Sequence, residues 1–483
     1  MSSDVPGDPR TGTVRRILRI KYLIPIILLV LGLFTRFYNI NVQVLDMDEG
    51  ATYFFSRMSI MEIIDYGEPN SPLFYKLEGW MCDIFGNTEL SIKFLPALFG
   101  AFCIPFTYLA SKELTGNESC ALISASLVLL SPVMISYAQD ARGFSCAAAM
   151  VMAQLWLFSV YLNREDSRPL WIAFSVVSAI GVHMHYVAMM PTAILFLYAY
   201  IHQRRKSLDR IVRSNTSLSL IVFVILILPI IPSIHNALRA SMGYDDTWIS
   251  GLDYVKECAV AFFFDNETLA IAMSVLLLIG AAFSVYRFRW KGMLLLSVAA
   301  IPFLFTLWVS TFSHIHYRYV LFAAPILYML IASPLCALED VRIPHRTVVA
   351  AACTVLCIVL VACASFPALE DQYANPQRGD FKGAVNILEE QASEGDYIIY
   401  SPEWIEWGIG GCLDFYYDND KAGTTIIGAD SVSVIDGIRH DHPDKGIFIM
   451  TWADSTELID WAKSGTETTV LYQNSGLTLY RLV

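Results

Sequence analysis

The stretch Arg15–Glu49, RRILRIKYLIPIILLVLGLFTRFYNINVQVLDMDE, decides the class of this chain. A basic start (Arg15, Arg16, Arg19, Lys21) runs into an apolar segment over 17–38. The stretch closes on three carboxylates, Asp46-Met47-Asp48-Glu49. An apolar run of about 20 residues is what an α-helix needs to cross a hydrocarbon layer of about 30 Å. Its length and basic flank read as a signal anchor rather than a cleavable leader. Carboxylates at the end of such a helix are costly to hold near hydrocarbon and are kept where they have a role.

The same reading repeats along the chain. Hydrophobic residues make up 55% of it and charged residues 16%, against about 25% charged in soluble domains. Apolar stretches predict about eleven membrane helices, at 17–38, 91–113, 118–137, 143–162, 169–186, 187–203, 216–235, 268–286, 292–313, 318–338 and 347–366. With the basic N-terminus in the cytoplasm, one side collects Arg164 and Arg168, the run His202-Gln203-Arg204-Arg205-Lys206, Arg287 and Arg289, and Arg342 and Arg346. The positive-inside rule makes that side cytoplasmic and leaves the C-terminal tail outside.

Charge separates the tail from the rest. Pro367–Val483 holds 7 Lys+Arg and 20 Asp+Glu, a net of −13, whereas the whole chain sums to −12. Residues 1–366 are therefore near neutral. The acidic tail does not suggest nucleic acid or an anionic lipid surface as a partner. Of the ten cysteines only Cys412 lies in the tail, and no Cys-x-x-Cys knuckle occurs. That argues against a disulfide framework there. Short apolar runs at Tyr397–Tyr400, Gly446–Thr451, Thr469–Tyr472 and Leu477–Leu482, with a helical pattern at Phe381–Gln391, predict a small α/β domain. The expected fold is a multipass α-helical membrane protein with a small C-terminal extracytoplasmic α/β domain. It divides into a membrane body at 1–366 and a soluble unit at 367–483.

The first outer loop, 39–89, is too long for a simple connector. Glu49–Ile64 suits a helix lying in the interface. Pro69-Asn70-Ser71-Pro72 breaks it, and Leu73–Phe85 resumes with Tyr75 and Trp80 at headgroup depth.

The outer face collects a distinctive set of side chains. It holds Asp46–Glu49, the segment Tyr137-Ala138-Gln139-Asp140-Ala141-Arg142-Gly143, the pair His183-Met184-His185-Tyr186, and His314-Ile315-His316-Tyr317-Arg318-Tyr319. The chemistry or binding is therefore expected on the non-cytoplasmic side. Asp48 or Glu49 can act as a general base toward a hydroxyl, although an acid at a helix start is also an ordinary cap. Asp140 can orient a substrate, or cap the next helix and pair locally. Arg142, Arg57 and Arg318 can meet an anionic phosphate through a bidentate fork, or simply snorkel. The two His-x-His pairs cannot each supply two ligands from one helix, because positions i and i+2 point to nearly opposite faces. One histidine such as His185 could join Asp48 or Glu49 around a divalent metal ion. Hydrogen bonding to substrate or tyrosine is the alternative.

These residues carry a family resemblance. The Asp-Glu pair is followed by Asn70-Ser71-Pro72-Leu73-Phe74-Tyr75, then Ile92-Lys93-Phe94-Leu95-Pro96-Ala97-Leu98-Phe99-Gly100, then Ser131-Pro132 and Tyr137 to Arg142. In this order they resemble the GT-C glycosyltransferases of the protein O-mannosyltransferase and aminoarabinose transferase group. The resemblance covers about 1–200 and recurs at His316-Tyr317-Arg318-Tyr319, and more loosely at Arg378-Gly379-Asp380-Phe381-Lys382-Gly383. It implies a polyprenyl-phosphate-linked sugar donor of the dolichyl phosphate mannose kind, a hydroxyl acceptor, and inversion at the sugar. It implies Asp48 as the essential acid, with Glu49 beside it and Asp140 as a second acid. It also implies donor-phosphate contacts from Arg57, Arg142 and Arg318. Asn70, Tyr75, Tyr137, Gln139, His185, Tyr186, His316 and Tyr319 are the candidates for contacting substrate. One departure stands out. Many relatives read His-Pro-Pro or Lys-Pro-Pro where this chain has Asn70-Ser71-Pro72, so a cation is replaced by an amide. The Trp-Trp-Asp signature of oligosaccharyltransferases is absent, which argues against en bloc glycan transfer. A lipid or sugar transporter is the competing class, but transporters favour midplane charges and internal repeats. A cell-surface sensor working through its tail is a third.

Overall fold

The structure, a computed structural model, describes residues 9–68, 70–163, 166–204, 207–241, 251–313, 315–340, 344–376, 378–418, 422–452, 456–465 and 467–482. Pro69, Arg164, Arg205, Lys206, His314 and Arg342, named above, lie outside them.

The chain is a multipass helical membrane protein. Among the described residues, seven helices are long and apolar enough to cross a bilayer: Leu23–Val42, Phe94–Thr115, Phe144–Asn163, Asn215–Arg239, Glu267–Phe288, Trp290–Val309 and Arg346–Ala374. Four further expected spans are shorter apolar helices, Glu118–Leu130, Arg168–Met184, Tyr186–His202 and Ala323–Leu338. Their brevity has local causes. Ser131-Pro132 stops the first of them, because a proline ring disfavours helix in the residue before it. The carbonyls left open by this stop are taken by Arg36, which is fully buried and donates to Leu129 O at 2.6 Å and Val128 O at 2.7 Å.

Phe144–Asn163 sits at the centre. Ser145, Cys146, Ala147, Ala148, Ala149 and Ala153 are all buried on it. Ala97, Gly100 and Ala101 face inward on Phe94–Thr115. Small residues let apolar helices approach closely, so that dispersion replaces the hydrophobic effect that lipid does not supply.

After the first apolar helix, α1 (Pro9–Phe37), the first loop forms three α-helices: α2 (Met47–Arg57), α3 (Ile60–Tyr66) and α4 (Pro72–Phe85). The single helix expected over 49–64 is split, because Ser59 caps a new helix in a capping box with Glu62. Ile60, Met61, Leu73, Trp80, Ile84 and Phe85 are exposed apolar side chains along this loop, as a helix bedded in an interface requires. Tyr75 departs from the expectation. It is fully buried, whereas Trp80 is 57% exposed. Five positions rotate a helix by about 140° net, so the two rings cannot share a face.

Helix Arg346–Ala374 runs through the expected boundary at 366/367, with Pro367 inside it. Beyond it lies a five-stranded sheet in the order β2-β1-β3-β5-β4. β1 (Tyr397–Ser401) is parallel to β2 (Thr425–Gly428) and to β3 (Ile447–Thr451). β5 (Leu477–Leu482) is antiparallel to β3 and to β4 (Thr468–Asn474). β1 and β3 read as continuous apolar runs because both their faces are covered. On one face Ile398, Tyr400, Phe448 and Met450 pack with Phe381, Val385 and Leu388. On the other, Ile399, Ile447 and Ile449 pack with Ile435, Ile438 and Leu458.

The first of these cores does not stop at the sheet. It takes in Leu45, Tyr53, Cys82, Ile92 and Ala141 from the first loop and the body. Two glycines make the junction possible. A Cβ on Gly50 would overlap the Gly408 carbonyl oxygen, and one on Gly411 would overlap the Gly50 carbonyl oxygen.

Candidate active site

The acidic triplet opens α2. Asp46 is the N-cap and forms a capping box, its carboxylate accepting from Glu49 N at 3.0 Å and Glu49 Oε2 accepting from Asp46 N at 3.1 Å. The other oxygen of Glu49 accepts from Ala141 N at 2.8 Å and pairs with Lys93 Nζ at 3.0 Å. Glu49 is only 2% exposed. Both its oxygens are thus committed to holding α2, the loop at Ala141 and the start of Phe94–Thr115 together. Burial, with Asp140 and Asp46 nearby, pushes its carboxyl up to about 7 against the pull of Lys93.

Asp48 is turned the other way. Its carboxylate pairs with the Arg318 guanidinium, and Arg142 Nη1 donates to its backbone carbonyl at 3.1 Å. Burial works to raise this carboxyl, but Arg318, Arg142 and Arg378 overcome it and hold it well below the usual carboxylate range. Arg318 itself rests against the rings of Phe144 at 5.6 Å and Tyr319 at 6.0 Å.

Asp140 does not cap the following helix. It begins a tight loop in which Arg142 N donates to Asp140 O at 2.7 Å. A Cβ on Gly143 would overlap the Met184 carbonyl oxygen, so only glycine lets the chain turn there. Asp140 Oδ2 accepts from Arg378 Nη2 at 3.0 Å, and Arg378 Nη1 donates to Asp46 Oδ2 at 2.7 Å. Burial raises the Asp140 carboxyl, with Arg378 opposing.

His185 sits in the break between two helices, 1% exposed, its ring 4.4 Å from that of Phe144. Its Nδ1 accepts from Val187 N at 3.3 Å, which assigns the proton of the neutral ring to Nε2. Burial, then Arg142 and Arg318, hold it far below the usual histidine range and therefore neutral.

Several buried polar atoms of this cluster have no partner: Arg142 Nε, Arg318 Nε, His185 Nε2, Asp140 Oδ1 and Asn70 Oδ1. Unpaired buried donors are costly, and such gaps mark where a ligand completes the bonding. Three of the five are donors on or beside cations, which suits an anion.

Other sequence candidates fall differently. Asn70 Nδ2 donates to Tyr75 OH at 3.1 Å, and Tyr75 OH to Glu68 at 2.7 Å, forming a chain beside Arg142. Tyr137 is buried, with the Arg378 guanidinium 6.0 Å from its ring centre. Tyr319 and His185 rings lie 6.0 Å apart. Arg57 is not in the cluster. It pairs with Asp83 at 2.5 Å on the exposed far end of α2. Gln139 serves the fold, donating to the carbonyls of Arg36 and Tyr38 and accepting from Gln372. Tyr186 OH donates to Ser233 at 2.7 Å. His316 caps the turn carrying Arg318, accepting from Arg318 N, with Glu257 4.0 Å away. Among the described residues, no three His, Cys, Asp or Glu side chains stand together as a metal site.

Sequence reasoning missed three members. Lys93 carries a signal, a lone cation opening an apolar span. Arg378 has only its place in a loose motif, and Glu68 has none.

Comparison with known proteins adds the following. Residues 70–232 match the family of dolichyl-phosphate-mannose-protein mannosyltransferases. An uncharacterized protein of Aquifex aeolicus (strain VF5) is 25% identical over 197 residues, a match spanning 38% of this chain and 38% of that protein's length. The crystal structure of ArnT from Cupriavidus metallidurans in the apo state superposes with a TM-score of 0.61 at 12% identity, covering 99% of both chains. The same protein bound to undecaprenyl phosphate gives 0.58 at 12% identity over 98% of both. The Archaeoglobus fulgidus oligosaccharyltransferase AglB, in complex with an inhibitory peptide and a dolichol-phosphate, gives 0.52 at 14% identity, covering 90% of this chain and 70% of that one. Sheet-bearing C-terminal unit and helical body alike fall within the ArnT superposition, so the chain shares the fold of that protein along its whole length.

Proposed function

We propose that this chain is a membrane glycosyltransferase that moves one sugar from a polyprenyl-phosphate donor to a hydroxyl acceptor on the non-cytoplasmic face. The observation that carries the reading is the buried set of unpaired donors, Arg142 Nε, Arg318 Nε and His185 Nε2, gathered around Asp48. Solved relatives of the same fold bind undecaprenyl phosphate or dolichol-phosphate. A phosphate seated on Arg142 and Arg318 takes up the positive charge that Asp48 now balances. Its arrival loosens the Asp48–Arg318 pair and lifts the carboxyl toward the range of a working base.

Transfer then follows. Asp48 accepts the proton of the acceptor hydroxyl, and the oxygen attacks the anomeric carbon. The bond from that carbon to the phosphate oxygen breaks, and the electron pair leaves with the lipid phosphate, which the arginines stabilise. Attack from the face opposite the leaving phosphate inverts the anomeric centre. Asp140 Oδ1 is positioned to accept from a substrate hydroxyl, and the Asn70–Tyr75–Glu68 chain lines the Arg142 side. Preorganised charge of this kind is worth on the order of 10²–10³ in rate per donor.

The test is transfer of label from polyprenyl-phosphate sugars to membrane acceptors by the purified chain in liposomes. The wild type transfers sugar, whereas Asp48→Asn inserts and folds but does not. Lipid movement without sugar release, or full activity in Asp48→Asn, removes the reading.

A further inference from the structure

Arg378 lies between helix Arg346–Ala374 and helix Phe381–Gln391, at the entry to the C-terminal unit. Its guanidinium reaches back to the body. One nitrogen holds Asp46 Oδ2 at 2.7 Å and another holds Asp140 Oδ2 at 3.0 Å. Those two acids govern where Asp48 stands. Asp46 caps α2 and so fixes the backbone two residues before Asp48. Asp140 opens the loop whose Ala141 N–H binds Glu49 and whose Arg142 binds the Asp48 carbonyl. The C-terminal unit in turn aims Arg378. The neighbouring Gly379 is backed by Trp452, with Trp452 carbons 2.7 and 2.8 Å from where a Cβ would stand, and Trp452 stacks on Phe381 at 5.7 Å and 8°. None of the sequence motifs assigns Arg378 a role in transfer.

We propose that Arg378 is a positioning residue through which the C-terminal unit sets the geometry of Asp48, by bridging Asp46 and Asp140. The inference rests on the glycosyltransferase reading of Asp48. A fork that spans two acids at once is a task for arginine, since the lysine ammonium is a single point of charge. Without the bridge, Asp46 and Asp140 face each other across the start of α2 with no common cation, and the cap and the loop part.

The test compares wild type with Arg378→Ala and Arg378→Lys in two measurements. In the first, transfer kinetics, Arg378→Ala loses kcat on the order of 100-fold, the scale on which misplacement of about 1 Å acts. Its KM for the lipid-phosphate donor stays within about threefold of wild type, because Arg142 and Arg318 are untouched. Arg378→Lys recovers part of kcat. In the second, hydrogen exchange, the amides of Glu49, Gly50 and Ala141, bonded to Asp46 and Glu49 in the wild type, exchange faster in Arg378→Ala while the helical bundle keeps its protection. Wild-type kcat in Arg378→Ala overturns the proposal, and so does a uniform loss of protection equal in both variants. If the wild type transfers no sugar from any lipid-phosphate donor, the functional reading fails. The exchange result then stands alone: local acceleration keeps the bridge as the element that places Asp48, and unchanged exchange removes it.

Discussion

Arg318 and Asp48, 270 positions apart in the chain, form a mostly buried ion pair at the start of α2. In it the candidate base holds, before donor binds, the cation proposed to receive the donor phosphate. Arg318→Ala should therefore act twice, weakening phosphate binding and releasing Asp48. The expected outcome is a rise in donor KM together with a fall in kcat of about 10²-fold. Initial rates over a donor series check it, and an unchanged KM would place the phosphate elsewhere.

The pair also has a pH signature. The folded Asp48 carboxyl lies below its unfolded value, so its contribution to stability is present above the unfolded value and disappears only as pH falls through the folded one. The difference in thermal stability between wild type and Asp48→Asn in detergent should stay constant from about pH 8 to 5 and shrink only in stronger acid. Glu49 behaves oppositely. Its carboxyl is raised to about 7, so its contribution is full below the unfolded value and is lost as pH climbs through 7. The stability gap between wild type and Glu49→Gln should narrow between about pH 5 and 8. Thermal inactivation curves at several pH values would show a widening gap if the sign is wrong.

Lys93 and Glu49 are both buried, at 0% and 2% side-chain exposure. Lys93→Met removes one partner and leaves the buried Glu49 carboxyl without the cation that lowers it. Breaking such a pair costs about 3–5 kcal/mol, so yield and melting temperature in detergent should fall sharply. The double variant Lys93→Met with Glu49→Gln should recover part of the loss. Equal damage in the single and the double variant argues that the pair is not coupled.

Gly50 touches the backbone at Gly408 and the Cys412 side chain. Gly50→Ala drives a methyl into that contact, and overpacking of this kind costs about 1–3 kcal/mol. The C-terminal unit should loosen from α2, seen as faster proteolysis of that unit and lower transfer. Wild-type resistance in the variant would mean that the junction gives way without cost.

Chelation should leave transfer within about twofold of the untreated rate, since Asp48 and Glu49 already face arginine and lysine rather than open coordination space. Rates with a chelator, and after adding back magnesium or manganese, decide the matter.

The helical body was legible because crossing a bilayer imposes a length and an apolar composition that any window detects. The short helices near Pro132 and His185 were read as full spans, since their ends depend on one proline and on a histidine in an irregular turn. Asp48, Asp140, Arg142, Arg318 and His185 were anticipated, and the fold brings them together. Arg57 was not separable from them in sequence, yet nine residues of helix carry it about 13.5 Å beyond Asp48. Gln139, Tyr186 and His316 bear the right chemistry, but the backbone and side chains of the fold use it. Lys93 and Arg378 escaped notice because their meaning lies in partners 44 and 332 positions away.

The core shared by β1, β3 and the first loop has a consequence for biogenesis. The acids of α2 leave the ribosome early, and the arginine that bridges Asp46 and Asp140 follows 332 residues later. A chain made only as far as the bundle therefore carries Asp46 and Asp140 without the arginine that joins them. The site closes only once the segment around Gly408, Gly411 and Cys412 has packed against α2, so on the proposed reading competence for transfer waits for the C-terminal unit to dock.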